Sequence, residues 1–245
     1  KAIAIHGSRP VPVTYPTKLL KQAKTTSADI TGDTAGIKVW RDGGTWKIAQ
    51  KGFKPVRNPN SDLWDFDKYD EKFEHHPVAC PGCPVGCKHS LKVRPGFKHA
   101  GMEFVVGCTY ATMNGPFGMG LGLTLMEDMA KIGELVQRLG MDSEVTAGTI
   151  SLLIELYEKG IVTGEDTGLE LQWDDPNLTM KLMHMMANRE GIGDILAEGT
   201  SRMAKVFGKG AEQYLVAFKG MSRALTAHSG GDLRLEMSTR ALAWT

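Results

Sequence analysis

Cysteine is scarce in this chain, with four in 245 residues, and neither sign of charge is in excess, with 29 Lys and Arg against 28 Asp and Glu. A formal net charge of +1 gives no electrostatic reason to gather on nucleic acid or on an anionic membrane surface, so neither is expected as a partner. No apolar run approaches the roughly 20 residues that span a bilayer, so no membrane span is expected. The first residues, KAIAIHGSRPVPV, lack the long apolar core and cleavage pattern of a secretory signal. No fixed-period repeat or low-complexity tract is present. The few cysteines also exclude a disulfide framework, because Cys80, Cys83 and Cys87 crowd into the octapeptide CPGCPVGC while Cys108 stands apart. Such clustering points to a reducing, cytoplasmic setting and to a metal, since thiolates brought together on one short loop repel unless a cation neutralises them.

What is present is enough for a sizeable core in one large domain or two small ones, which is a suitable scale for an enzyme. Residues 1–60 alternate short apolar stretches with Pro and Gly; KAIAIHG reads as a strand, and a short helix is expected near Pro16 to Lys24. Lys1 is not an initiator methionine, and a strand entered without a preceding turn implies that further chain precedes it. The acidic, aromatic run from Asp62 to Glu74 has no clean periodicity and reads as a surface segment packing a few rings. From about residue 120 the pattern becomes helical. Met126, Met129, Ile132, Val136 and Leu139 recur at spacings of three and four, which predicts an apolar stripe on a helix ending at Gly140. Ile150, Leu153, Ile154, Tyr157 and Ile161 repeat the pattern, with Ser143 placed to cap the start and Gly160 the end. Asp175 and Pro176 predict the start of another helix, Gly191 its end, and Gly208 or Gly210 the end of the next. The thirteen methionines read as core filler.

Three chemistries suit CPGCPVGC. A structural zinc site would need a fourth ligand, which His76, His89 or Cys108 could supply, but zinc modules usually offer ligands as two separated pairs. A [4Fe-4S] cluster fits the spacing better: three close cysteines and one remote ligand hold four irons, and the Pro and Gly residues between them let backbone amides approach the sulfides. Reduced structural thiols are the third reading. For Cys108, among apolar and small residues, a buried free thiol is the default and cluster ligation the alternative.

ACPGCPVGCKHSLKV, GMEFVVG, ELVQRLGMDSEVTAGTISLLIELYEKGIVTGEDTGLEL and REGIGDILAEGTSRMAKVFG, taken in order, together resemble the aldehyde ferredoxin oxidoreductase family of tungsten or molybdenum pterin enzymes. The resemblance implies a mostly α fold: the end of an N-terminal β-rich pterin-cradling domain over 1–15, a helical domain with the iron–sulfur loop over 16–215, and the start of a further domain over 216–245. It implies that Cys80, Cys83 and Cys87 ligate the cluster, with the fourth ligand either Cys108 or a residue beyond Thr245. The family's Asp-x-x-Gly-Leu-Asp pterin motif falls on Gln137 to Asp142, so Gly140 and Asp142 match while Gln137 replaces the first aspartate. An acceptor at a helix-to-helix turn suits the N–H groups of a pterin, although Asp142 also reads as a helix cap. Where the family carries Gly-Pro-Glu-Tyr-Glu this chain has GMEFV, so Glu103 matches a cofactor-side glutamate and Val105 replaces the second, a candidate proton-transfer group.

The family's dimer-interface Glu-x-x-His falls on Lys131 to Glu134, which cannot reproduce it, so no metal is expected there. The implied activity is oxidation of an aldehyde to a carboxylic acid at a bis-pterin tungsten or molybdenum, with electrons leaving through the cluster to ferredoxin or another low-potential carrier. A homo-oligomer or an added electron-transfer subunit is compatible with this. The rival readings are a family branch reducing another substrate, which Val105 favours, and an electron-transfer or zinc-stabilised interaction module. Lys88 and His89, directly after the triplet, read as a solvated loop, with adjustment of cluster charge the alternative; His75, His76, His184 and His228 read as surface or structural, and no catalytic residue is assigned.

Overall fold

A computed structural model describes residues 6–32, 37–38, 41, 65–106, 117–118, 120–215, 217–218 and 221–222. The expected strand at the start falls largely on residues 1–5, outside the described residues, and His6 and Gly7 belong to no element. Helix α1 spans Pro16–Gly32, well past the Lys24 end expected, and none of its residues is buried.

The run that reads as surface from sequence is instead where the core begins. Asp65 caps helix α2 (Phe66–Lys72), its Oδ1 accepting from the Asp67 and Lys68 amides at 3.0 and 3.3 Å. Tyr69 and Phe73 are 1% and 0% exposed, because the helix turns directly into strand β1 (Phe73–Val78) and carries both rings under the sheet. Strand β1 pairs antiparallel with β2 (Lys88–Val93), from Phe73↔Val93 to Val78↔Lys88. Strand β2 pairs antiparallel with β3 (Glu103–Val106), from His89↔Val106 to Lys92↔Glu103. Side chains alternate across the pleat, so His89, Leu91, Val93, Phe104 and Val106 face the core while Lys92, Glu103 and Val105 face outward.

The helical part follows the predicted stripes. Helix α3 (Met126–Arg138) buries Met126, Met129, Ile132 and Val136, each at most 1% exposed, and full burial of a side chain of this kind stabilises by about 1.5–3 kcal/mol. Helix α4 (Ser143–Glu158) begins one residue after its cap. That cap is Asp142, whose Oδ1 accepts from the Val145 amide at 2.8 Å, and not the expected Ser143. A short helix α5 (Gly164–Thr167), unforeseen from sequence, is closed by a reciprocal Thr163–Asp166 capping box.

Helix α6 (Pro176–Asn188) has Asp175 as its cap and Pro176 in the first turn, as expected. It stops before Gly191: Arg189 takes the left-handed conformation at φ 56°, and Gly191 opens helix α7 (Ile192–Leu196) instead. Gly199 then separates α7 from α8 (Thr200–Phe207), and Gly208 ends α8. A 3-10 turn (Ala211–Tyr214) and a two-residue ladder, β4 (Ala217–Phe218) with β5 (Met221–Ser222), follow. The described residues are mostly α with a small three-stranded sheet, which matches the fold class that the resemblance implies.

Helix α3 joins the two parts, packing on β3 at one side and on α6 and α4 at the other. Its first turn carries two nearly buried carboxylates, Glu127 and Asp128, both 4% exposed. Each is neutralised from the sheet side: Lys72 Nζ donates to Glu127 at 2.9 Å, while Lys98 and His99 both reach Asp128, at 2.7 and 3.0 Å. Buried carboxylates at a helix start also meet the positive end of its dipole.

Candidate functional site

The cysteine loop is the connection of the β1–β2 hairpin, running from Ala79 to Cys87 between the last ladder pair, Val78↔Lys88. Strand pairing therefore sets the two ends of the loop side by side, which brings Cys80 and Cys87 to a common base before any ligand is considered. The Cys83 amide donates to the Cys80 carbonyl at 3.0 Å, closing a turn through Pro81 and Gly82. Gly82 and Gly86 hold φ at 73° and 65°, where a side chain would be strained. No Cβ clash sits within 3.4 Å at either glycine, so backbone conformation selects them, not crowding. Cys80 is exposed, Cys83 and Cys87 are half-buried, and none of the three is in a disulfide.

The donor set suits an iron–sulfur cluster: three thiols on a glycine-bent loop, with soft ligands of the kind that iron clusters and zinc both take. Among the described residues no three His, Cys, Asp or Glu side chains converge on one point as a single ion requires.

Two residues fix this loop: Arg41, which sequence reading passed over, and His89, which it weighed in another role. Arg41 donates from Nη2 to the Pro84 carbonyl at 3.0 Å and from Nε to the Val85 carbonyl at 3.2 Å. His89, expected on a solvated loop, is 0% exposed and lies on the core face of β2. Its Nε2 donates to the backbone carbonyl of Arg41 at 2.8 Å; a carbonyl can only accept, so Nε2 carries the proton. No local pattern announces Arg41, since 43 and 44 residues separate it from its partners. The neighbouring His75 ring lies 5.2 Å from the His89 ring, centroid to centroid, and its Nε2 donates to Asp70 at 2.7 Å. His76 and His184 are exposed, and Lys88 is half-buried at the start of β2. Cys108 and His228 lie outside the described residues.

The other candidates stand elsewhere. Glu103 pairs across the ladder with Lys92, four residues along β2 from the end that carries the cysteine loop, which is about 13 Å at 3.3 Å per residue. The hydrogen bond from Lys92 Nζ at 2.7 Å, and then its charge, hold the Glu103 carboxyl below its usual range, while Glu103 raises Lys92 in return. Val105 shares that outward face and is 45% exposed.

Gly140, at φ 68°, and Asp142 lie in the turn after α3. The sheet docks at the other end of that helix, about 20 Å away at 1.5 Å per residue. Asp142 sits on the rim of an open groove of about 210 Å³, lined by Met141, Val145, Met186, Leu196 and Gly199. One of its oxygens is engaged by the Val145 amide, and a carboxylate has acceptor capacity left for a ligand. The described residues thus keep the thiols, Glu103 and Asp142 at three separate stations along one rigid path from hairpin through α3 to the α3–α4 turn. Glu134, in the Lys131–Glu134 stretch where no interface metal is expected, is buried and paired with Lys131 and Arg138.

Comparison with known proteins places this architecture. A profile described as aldehyde ferredoxin oxidoreductase, domains 2 and 3, matches residues 21–236. The aliphatic sulfonate oxidoreductase WOR-like subunit of Pyrococcus furiosus is 30% identical over 241 residues, covering 93% of this chain and 38% of the relative. The tungsten-containing aldehyde ferredoxin oxidoreductase of the same organism is 26% identical over 221 residues, covering 85% and 35% respectively. The chain therefore spans under two fifths of the length of these curated relatives. Among solved structures, the active site complex BamBC of benzoyl coenzyme A reductase, in complex with 1,5-dienoyl-CoA, superposes with a TM-score of 0.55 at 22% identity. That match covers 76% of this chain and 28% of the other, and it bears on the fold alone.

Proposed function

We propose, because this chain belongs to the aldehyde ferredoxin oxidoreductase family, that it is part of the catalytic chain of a tungsten- or molybdenum-pterin oxidoreductase. Cys80, Cys83 and Cys87 are then three ligands of a [4Fe-4S] cluster and Gly140 and Asp142 face the pterin, while Glu103, paired with Lys92 at a separate station on the sheet, would meet a different part of the cofactor. The observation that carries this reading is the family match across residues 21–236 with the cysteine triplet set on a hairpin connection inside it. The boundaries proposed are 1–15, 16–215 and 216–245, for the end of one domain, a helical domain and the start of another.

When bound, the pterin metal supplies two-electron chemistry and the cluster passes electrons on singly to ferredoxin or a similar carrier. What this chain's residues supply is placement. The hairpin ladder holds the thiols at its tip, Asp142 offers an acceptor to ring N–H groups, and the groove beside it offers a mostly apolar wall to a ring.

Aldehyde oxidation to the acid is the first substrate reading. A second is favoured by Val105: a half-exposed valine on the outward face of β3 neither gives nor takes a proton, so a substrate needing no acid–base group there fits as well. The sulfonate-directed name of one relative points the same way. The test is elemental analysis of the full-length protein purified without oxygen, followed by a panel of aldehydes and sulfonates with a low-potential dye. About four irons and one tungsten or molybdenum per chain are expected, and one zinc without iron would overturn the reading.

A further inference from the structure

We propose that Arg41 is a positioning residue for the cluster loop, bracketing Cys87 from both sides and setting the electron affinity of the cluster; this rests on the cluster reading above. The guanidinium reaches the Pro84 and Val85 carbonyls, on the N-terminal side of Cys87, at 3.0 and 3.2 Å. The backbone carbonyl of the same residue receives the Nε2 proton of His89, on the C-terminal side, at 2.8 Å. One residue thus spans the stretch from Pro84 to His89, and its second anchor is fully buried. The fork of an arginine suits two neighbouring carbonyls in a way that the point charge of a lysine does not.

The geometry has a further consequence through peptide planarity. In a trans peptide the C=O and the following N–H point in opposite directions. With the Pro84 and Val85 carbonyls turned toward Arg41, the N–H groups of Val85 and Gly86 are turned to the opposite side of the loop. Gly86, at φ 65°, permits that reversal of direction just before Cys87. Amides so fixed are donors to thiolate or sulfide sulfur, and such donors, together with a nearby guanidinium charge, favour the reduced cluster. Arg41 therefore acts through the loop and not by ligation.

The test uses full-length holoenzyme carrying Arg41→Gln and Arg41→Lys, with two readouts: the cluster midpoint potential from an EPR-monitored titration, and the rate of iron release to a chelator. For R41Q the reduction equilibrium is expected to fall about tenfold, ~59 mV for one electron, with iron released about tenfold faster, as for loss of a residue supporting metal ligands. R41K keeps the charge but not the fork, so it should show a potential between those of R41Q and the wild type and still release iron faster; it also carries the test if R41Q does not accumulate. Wild-type potential and wild-type iron release in R41K and in whatever R41Q accumulates would overturn the proposal. The cluster reading fails separately: Cys83→Ser would then leave the iron content of the wild type unchanged.

Discussion

In the helical part, helix starts are fixed by groups close in sequence: Asp142 caps the amide of Val145, Asp175 that of Leu178, and Thr163 and Asp166 cap each other. In the sheet and its cysteine loop, the fixing groups are far apart, with Arg41 holding Pro84 and Val85 and Lys72 reaching Glu127 across 55 residues. The first kind of order is redundant and inexpensive, since one lost cap shortens a helix by a turn. The second concentrates stability in a few long-range contacts to buried groups.

The largest effect expected from this contrast is at the joint. Glu127→Ala should lower stability by about 3–5 kcal/mol, because it breaks a buried ion pair by removing the carboxylate that meets the Lys72 ammonium at 2.9 Å. Replacing the pair together, Lys72→Met with Glu127→Leu, should recover most of that loss. Urea unfolding with hydrogen exchange on α3 measures both, and equal losses in the single and double variants would erase the contrast. Gly140→Ala comes next at about 1–2 kcal/mol, since φ 68° disfavours any side chain. Open space surrounds that glycine, so a loss well above this range would mean that contacts, not backbone conformation, select it.

Asp175→Ala should cost about 1 kcal/mol. Burial raises the Asp175 carboxyl, but the Leu178 amide and the Gln172 side chain outweigh it, leaving the folded value below the ordinary one. A group lowered on folding contributes stability above the ordinary carboxylate range and loses it as pH falls through the lowered folded value. The wild type should therefore lose stability relative to Asp175→Asn on acidification through that window, and parallel pH curves would contradict this origin. The smallest effect belongs to Glu103→Gln, whose partner Lys92 is exposed; the unfolding midpoint should barely move at physiological salt. A large shift would mean that this outward face of the sheet is covered in the whole protein.

The same contrast governs what could be read beforehand. The stripes Met126–Met129–Ile132–Val136 and Ile150–Leu153–Ile154 are local patterns, and the helices lie where they point. The end of α6 differs from the sequence expectation because Arg189 takes the left-handed conformation that sequence pattern assigns to the glycine two residues later. Ser143 and Asp142 are both able caps, and their order was decided by which side chain reaches the third amide. The core beneath the sheet was not legible at all: burial of Tyr69, Phe73 and His89 depends on pairing of β1 with β2, which leaves no periodicity in DLWDFDKYDEKFE. At the candidate site the thiol spacing is local and readable, but Arg41 is not, since only the folded chain relates residue 41 to residues 84, 85 and 89.

The cysteine loop closes over residues 79–87 on a hairpin, and closure of so short a span costs little chain entropy and is reached within microseconds in isolated hairpins. Three thiols are thereby gathered early in folding, before contacts of high sequence separation have formed. Cluster delivery to this chain would meet a receptor already three-quarters assembled at the tip of an antiparallel pair, and the arrival of Arg41 and of a remote fourth ligand would be the later events that lock it. With a cluster held as proposed, maturation of the metal centre and completion of the fold would on this topology form a single ordered sequence.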